Sequence, residues 1–353
     1  MRIAIDARVA AEVPAGRGRY VREILRHLAL LDGDWTATLF GRAQWPVEDP
    51  NGRFSWRLVS GGDRSWPLRI LPHVRGHDAM LATSSFLLGA LSPVPAVPVV
   101  WDFAPFDRRF GTPLGSLFER VTAPPAVRRA RRIVAISQST RDELVRRWPS
   151  AGSRTVVAHP SADEAFAPED PGGDAEVLRR LGIHAPYVLT VGTLEPRKNL
   201  PRLIEAFTGL PDEVRGEHVL VLAGAKGWGP TVDAERALVQ ALGFVEDDHL
   251  PALYRGAAVV AYPSLYEGFG IPVLEGLRSG TPVLTSNTSS MPEVGGDAAR
   301  YVDPEDVGSI RGGLAALLSD PAERERLAAA GPRQARRFDW GRSAQVILDA
   351  LQP

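Results

Sequence analysis

Residues 257–279 read AAVVAYPS, then LYEGFG, then IPVLEGLRS, and this stretch decides the fold. Ala257 to Ser264 is an apolar run of strand length. From Ile271 to Ser279 the apolar residues 271, 274 and 277 keep the spacing of one helix face. Between strand and helix the chain must turn. Gly268 and Gly270 tolerate positive φ and let a ligand approach the main chain, and Pro272 stands near the first helical position, where proline is accepted. Such a loop aims amide N–H groups and the positive end of a helix dipole outward, toward an anion or a ring of hydroxyls. Glu267 lies just before the loop and Glu275 in the second helical turn. Carboxylates only accept hydrogen bonds, and vicinal diols offer two donors. The eight-residue interval alone carries nothing: Glu205 and Glu213 share it without intervening glycines, as on a solvated helix face.

Upstream, Tyr187 to Gly192 (YVLTVG) is a second strand-like run, followed by the turn Thr193 to Pro196 and by Arg197, Lys198 and Asn199. Leu200, Leu203, Ile204 and Phe207 then form a helical stripe. The basic pair is therefore expected at the carboxyl end of a strand, where open α/β sheets bind ligands. A guanidinium and an ammonium together grip a diphosphate and hold the charge that grows as it leaves. Of forty-one basic residues only Lys198 and Lys226 are lysines, which singles out a compact ammonium at two places.

Working outward, the first half alternates in the same way. Strands are expected over Arg2–Ala7, Trp35–Phe40, Phe54–Val59, Asp78–Ala82, Val97–Trp101, Ile133–Ser137 and Thr155–His159, with a helix over Gly16–Leu31. This pattern predicts parallel sheets with helices on both faces, a doubly wound α/β fold. The proline-bearing polar stretch Ala167 to Asp174 is the linker candidate. The expected division is residues 1–168, 169–338 and a terminal segment 339–353 that carries a helix over Gly341–Leu351.

Composition sets the bounds. A chain of 353 residues exceeds one comfortable core, and 44% apolar with 24% charged residues is ordinary for a globular protein. A net charge of −1 gives no general reason to expect nucleic acid. The absence of cysteine excludes disulfides and thiolate metal sites and fits a cytoplasmic enzyme. Arg2 and Asp6 interrupt the first apolar run, so it reads as a strand and not as a signal peptide. The apolar region from Leu81 to Trp101 carries Pro93, Pro95 and Pro98 and cannot span a bilayer.

The stretches VGTLEPRKNLPRLIEAF (191–207), LAGAKGWG (222–229), LGFV (242–245), YPSLYEGFGIPVLEGLRSGTPVLTSN (262–287) and MPEVGGDAARYVDP (291–304) resemble, in order and spacing, the retaining glycosyltransferases of family GT4. The resemblance implies the GT-B fold, two Rossmann-like domains facing a cleft, with the terminal helix Gly341–Leu351 crossing back onto the first domain. The first would bind the acceptor, and the second the nucleoside diphosphate sugar. It implies that Arg197 and Lys198 bind the diphosphate, that Glu267 with the amides of Gly268, Phe269 and Gly270 holds the donor sugar, and that Glu275 takes the ribose hydroxyls. The backbone near Phe244 and Val245 would line the base pocket, Lys226 would face the cleft, and the loop of Gly16 and Gly18 would touch the donor phosphates. The family's activity implies no cofactor beyond the sugar nucleotide as co-substrate, and no metal is expected.

Val99-Val-Trp101-Asp102 departs from the family, whose members usually carry His-Asp at this strand end. In relatives the histidine commonly meets a donor-sugar hydroxyl, often at carbon six. Tryptophan offers one indole donor and an apolar wall. The departure admits a 6-deoxysugar donor such as dTDP-rhamnose, and equally a Trp101 that fills core or acceptor space while a hexose donor such as GDP-mannose still binds. Asp102 stands as a candidate base on the acceptor side. The acceptor is expected to be a saccharide, a lipid-linked glycan or a natural product. Two other classes remain open, a non-catalytic nucleotide-sugar-binding partner protein and a nucleotide-sugar epimerase. Asp32-Gly-Asp34 reads as a turn, and His73 and His77 lack a third ligand. Arginines at 128, 129, 131, 132, 141, 146 and 147 leave two readings, a solvated face and a peripheral contact with anionic lipid at the inner face of a membrane.

Overall fold

The computed structural model describes residues 1–13, 16–63, 65–111, 113–225 and 238–352. It divides into two compact units, residues 1–160 with 339–353, and residues 161–338. The stretch 167–174 therefore lies inside the second unit. The Arg255 guanidinium ties it there, donating to the Ala165 and Ala167 carbonyls at 2.9 and 3.1 Å and to both Asp174 oxygens at 2.6 and 2.7 Å. Within the stretch, Asp174 and the Ala167 carbonyl anchor this arginine.

The first unit holds β1 (Arg2–Asp6), β2 (Thr36–Gly41), β3 (Phe54–Leu58), β4 (Ala79–Ala82), β5 (Ala96–Val100), β6 (Ile133–Ala135) and β7 (Thr155–Val157). They form one sheet in the order β3-β2-β1-β4-β5-β6-β7, and every pairing is parallel. Parallel neighbours need crossovers, and most are made by helices such as Arg17–Leu30 between β1 and β2. The expected strand ends are trimmed where a side chain is needed for another task. Ser137 leaves β6 to cap the helix Gln138–Arg147, its hydroxyl accepting from the Thr140 amide at 2.9 Å. Asp339 caps the terminal helix Trp340–Leu351, which buries Ile347, Leu348 and Leu351 within this unit and turns the Trp340 ring edge-on to Tyr20 at 5.5 Å. Asp32 to Asp34 form a bend before β2. The His77 ring is occupied by the Thr38 hydroxyl at 3.0 Å and the Val74 carbonyl at 2.9 Å.

The second unit holds β8 (Tyr187–Val191), β9 (Val219–Ala223), β10 (Val239–Gly243), β11 (Val259–Tyr262), β12 (Val283–Ser286) and β13 (Ala299–Val302). Their order is β10-β9-β8-β11-β12-β13, again parallel throughout. Val188, Leu220, Leu222, Val259 and Leu284 on the strands meet Leu203, Phe207, Ile310 and Leu314 on helices in one buried cluster. The strand order reverses between β8 and β11. At such a switch point the loops leaving the two strands diverge to opposite faces and open a crevice at the carboxyl edge. Those two loops are the ones carrying Arg197-Lys198 and Glu267.

Candidate functional site

The two loops are pinned to one another before any side-chain chemistry is considered. β8 gives way to Gly192, with φ 141°, and a Cβ built there would stand 3.5 Å from Lys198 Cε. After the turn the chain passes through a single 3-10 turn, Pro196–Lys198, into Asn199, which sits at φ 61° with its side chain buried. The Asn199 amide donates to the Pro263 carbonyl at 3.0 Å and the Pro304 carbonyl at 2.6 Å, joining this loop to the segments after β11 and β13. The Leu265 amide donates to the Arg197 carbonyl at 2.8 Å and completes the register.

With the backbones so held, Arg197, Lys198 and Glu267 converge. Lys198 Nζ donates to Glu267 Oε1 at 2.7 Å, and an Arg197 terminal nitrogen donates to Glu267 Oε2. Arg197 Nε also reaches Glu195 at 2.8 Å. Tyr262, the last residue of β11, donates its hydroxyl to Glu267 Oε1 at 2.9 Å and accepts from Lys198 Nζ, which lies 4.8 Å from its ring centre. Side-chain exposure is 22% for Arg197, 11% for Lys198 and 7% for Glu267, so water screens these pairs little. Burial alone would raise the Glu267 carboxyl, but Arg197 and Lys198 outweigh it and hold the group at about 2. Burial pushes the Lys198 ammonium down, with Glu267 opposing and Arg197 adding to that shift. Burial and the Glu267 charge push Tyr262 up, which keeps it a donor. The site is thus two cations held against carboxylates at the carboxyl edge of a sheet.

The glycine loop is braced from behind. Ser290 Oγ donates between the Phe269 carbonyl at 2.7 Å and the Glu267 carbonyl at 3.0 Å, and Ser289 Oγ accepts from the Glu267 amide at 3.1 Å. Gly270 takes φ 111° before the helix Ile271–Arg278, a conformation that demands glycine, and a Cβ there would also push the Met291 methyl aside at 2.3 Å. Phe269 turns its ring into the core, edge-on to Phe338 at 5.3 Å, which leaves only its backbone and that of Gly268 on the loop. Glu275 is buried in the helix that follows. Phe244 and Val245 follow β10, the phenyl ring exposed and the valine buried. Lys226 lies outside the described residues. Tyr262, Asn199, Ser289 and Ser290 were not singled out from the sequence, although all lie inside or beside stretches that carried the family resemblance.

The remaining sequence candidates belong to the first unit. Gly16 precedes the helix Arg17–Leu30 at φ 40° with open space at its Cβ position. Gly18 is needed for packing: a Cβ there would fall 1.8 Å from the Val13 carbonyl oxygen and 2.7 Å from that of Val9. Trp101 spends its indole N–H on the Thr83 carbonyl at 2.7 Å, sets its ring edge-on to Tyr20 at 5.1 Å, and lies 5.7 Å from the Arg17 guanidinium. It is a wall whose one donor is already used. Asp102 Oδ1 accepts from the Ala104 amide at 2.9 Å and shapes the turn after β5. Glu119, overlooked in the sequence, interacts electrostatically with Arg17 and Asp102; burial raises its carboxyl, Arg17 lowers it, and Asp102 raises it further.

Two parallel sheets of six and seven strands, matched by solved glycosyltransferases, define the class of the fold as GT-B. Anabaena HepE, solved in complex with UDP-glucose, superposes with a TM-score of 0.79 at 17% identity over 99% of both chains. Residues 180–334 match the family described as glycosyl transferases group 1. The O-antigen chain mannosyltransferase B of Escherichia coli is 36% identical over 231 residues, which are 63% of this chain and 61% of that protein. The serotype-specific mannosyltransferase WbdA of the same organism is 32% identical over 238 residues, 63% of this chain and 29% of that protein. The chain thus spans less than two thirds of the length of either curated relative.

Proposed function

We propose that the protein is a glycosyltransferase that moves a sugar from a nucleoside diphosphate to a saccharide, lipid-linked or natural-product acceptor with retention of anomeric configuration. The observation that carries this reading is the convergence of Arg197 and Lys198 on the Glu267 carboxylate at the β8/β11 switch point. A diphosphate offers these cations more charge than Glu267 does, so they would exchange the carboxylate for phosphate oxygens. They would then hold the charge that develops as the C1–O bond to the diphosphate breaks. Released from part of its pairing, Glu267 would accept from sugar hydroxyls and stabilise positive character at C1. The acceptor oxygen bonds C1 on the face the diphosphate leaves, and its proton passes to a diphosphate oxygen. Arg197 and Lys198 supply the leaving-group stabilisation, so the reaction as proposed needs no divalent metal.

Mannose from GDP-mannose is the donor favoured among the candidates, because both curated relatives are named as mannosyltransferases. With the Trp101 indole committed to Thr83, the hexose reading rests on Trp101 as a filled wall of the first unit. The test is a thermal-shift screen of GDP, UDP and dTDP with their sugars, followed by product analysis with the stabilising donor. Ligand binding to the native state raises the melting temperature. A mannosylated product of retained configuration is expected; an epimerised sugar nucleotide, or binding without any product, refutes the reading.

A further inference from the structure

The helix Pro113–Arg129 in the first unit is apolar on two sides. Its inner side carries Thr122, Ala123, Ala126 and Val127, all buried, and the Ala126 methyl lies 3.3 Å from where a Cβ on Gly89 would stand. The outer side carries Leu114, Leu117, Phe118 and Val121, exposed by 60, 59, 42 and 63%. At 3.6 residues per turn these four fall within an arc of about 100°, opposite the buried stripe. Four large apolar side chains in one contiguous stripe are not the scattered surface hydrophobics of an ordinary soluble face. Nothing else among the described residues covers them.

The surroundings identify the occupant. From residue 104 to 132 the chain has arginines at 108, 109, 120, 128, 129, 131 and 132 against only Asp107 and Glu119 as acidic residues, in a protein whose net charge is −1. Arg108 and Arg109 lie exposed in the turn leading into the helix, Arg120 flanks Leu117 and donates to the Phe106 carbonyl at 2.9 Å, and Arg128 continues the apolar stripe two turns beyond Val121. Arg109 pairs with Asp107 at 2.9 Å, Arg129 and Arg132 donate to the Ser92 and Ser153 carbonyls at 3.3 Å, and farther along Arg141 and Arg147 are engaged by the Thr155 and Gly152 carbonyls and by Glu143. A second copy meeting this face through a two-fold axis would set arginine against arginine. An apolar stripe rimmed by arginine matches instead the boundary between acyl chains and anionic headgroups. We infer that the Pro113–Arg129 helix docks the protein on an anionic lipid bilayer, with Leu114, Leu117, Phe118 and Val121 inserted and the flanking arginines on the headgroups. The inference goes beyond the proposed transfer reaction and holds whichever sugar is moved.

The experiment is co-sedimentation of the full chain with phosphatidylglycerol–phosphatidylcholine vesicles and with phosphatidylcholine alone, at low and high salt. Binding to the anionic vesicles that weakens as salt screens the arginines is expected. The combined change L117S, F118S and V121S should lower the partition coefficient by at least about tenfold, and R108E with R128E should bring binding down to the zwitterionic level. Melting temperatures control for folding. Because the chain has no cysteine, Leu117→Cys supplies a unique thiol for an environment-sensitive fluorophore, which should shift to the blue with anionic vesicles. Failure of the unaltered protein to bind anionic vesicles, undiminished binding by the serine variant, or an unshifted probe overturns the proposal. So does a self-association that the serine variant loses without any vesicle binding.

Discussion

Replacing Glu267 by glutamine preserves its volume and an oxygen for Tyr262, and removes the carboxylate charge that Arg197 and Lys198 both contact, leaving Glu195 beside Arg197. At 2.7 Å and an effective dielectric of about 20, the gross attraction between Lys198 and Glu267 is about 6 kcal/mol. Desolvation of the buried groups offsets part of it, and removing one partner of such a buried pair costs about 3–5 kcal/mol because the other charge stays behind. For a domain of this size each kcal/mol lowers the melting temperature by about 2–4 °C, so a drop of about 6–20 °C is expected. A saturating nucleoside diphosphate should then stabilise Glu267→Gln more than it stabilises the unaltered protein, since it supplies the missing negative charge. Differential scanning fluorimetry with and without GDP or UDP measures both quantities. A melting temperature within about 2 °C of the original, or a smaller ligand-induced shift in the variant, refutes the reasoning.

The same cluster predicts a pH dependence. Glu267 is held at about 2 against an ordinary value of 4.5, so its stabilisation is complete above about 4.5 and lost as the pH falls toward about 2; the melting-temperature gap to Glu267→Gln should narrow over that window and stay constant above it. Lys198→Ala should lower kcat by about 100- to 1000-fold, the cost of losing one donor to developing charge, while circular dichroism shows a folded protein; unchanged turnover contradicts its role. Because burial lowers the Lys198 ammonium, diphosphate affinity should decline as the pH rises toward, but before reaching, the ordinary lysine range, and calorimetry across that range would show it. Asn199→Ala strands two buried carbonyls and places alanine at φ 61°, so a loss of about 2–4 kcal/mol in denaturant unfolding and weaker nucleotide binding are expected together. Gly18→Ala must displace a carbonyl 1.8 Å away and should destabilise the first unit, read as a lower melting temperature that nucleotide does not restore.

Much of this protein was legible in the chain. Strand-length apolar runs, helical stripes and glycine turns marked most of the elements and the parallel α/β class, because periodicity is a local property that each segment carries by itself. The placement of Arg197 and Lys198 just after β8, at the carboxyl edge of a parallel sheet, followed from the same logic. What tertiary structure alone decided is which loops meet. That β8 and β11 are neighbours, with their loops locked by Asn199 and Leu265, is a matter of strand order, and residues seventy positions apart acquire their shared carboxylate only through it. Tyr262 reads in sequence as one more strand residue, and becomes a partner of Lys198 because its strand ends beside that loop. What the Phe269 and Trp101 side chains touch was likewise set by packing, the first against Phe338 and the second on the Thr83 carbonyl. The bare face of the Pro113–Arg129 helix is the opposite case. A helix apolar on two sides declares no inner side until a neighbour buries one, and only then does the uncovered stripe become visible.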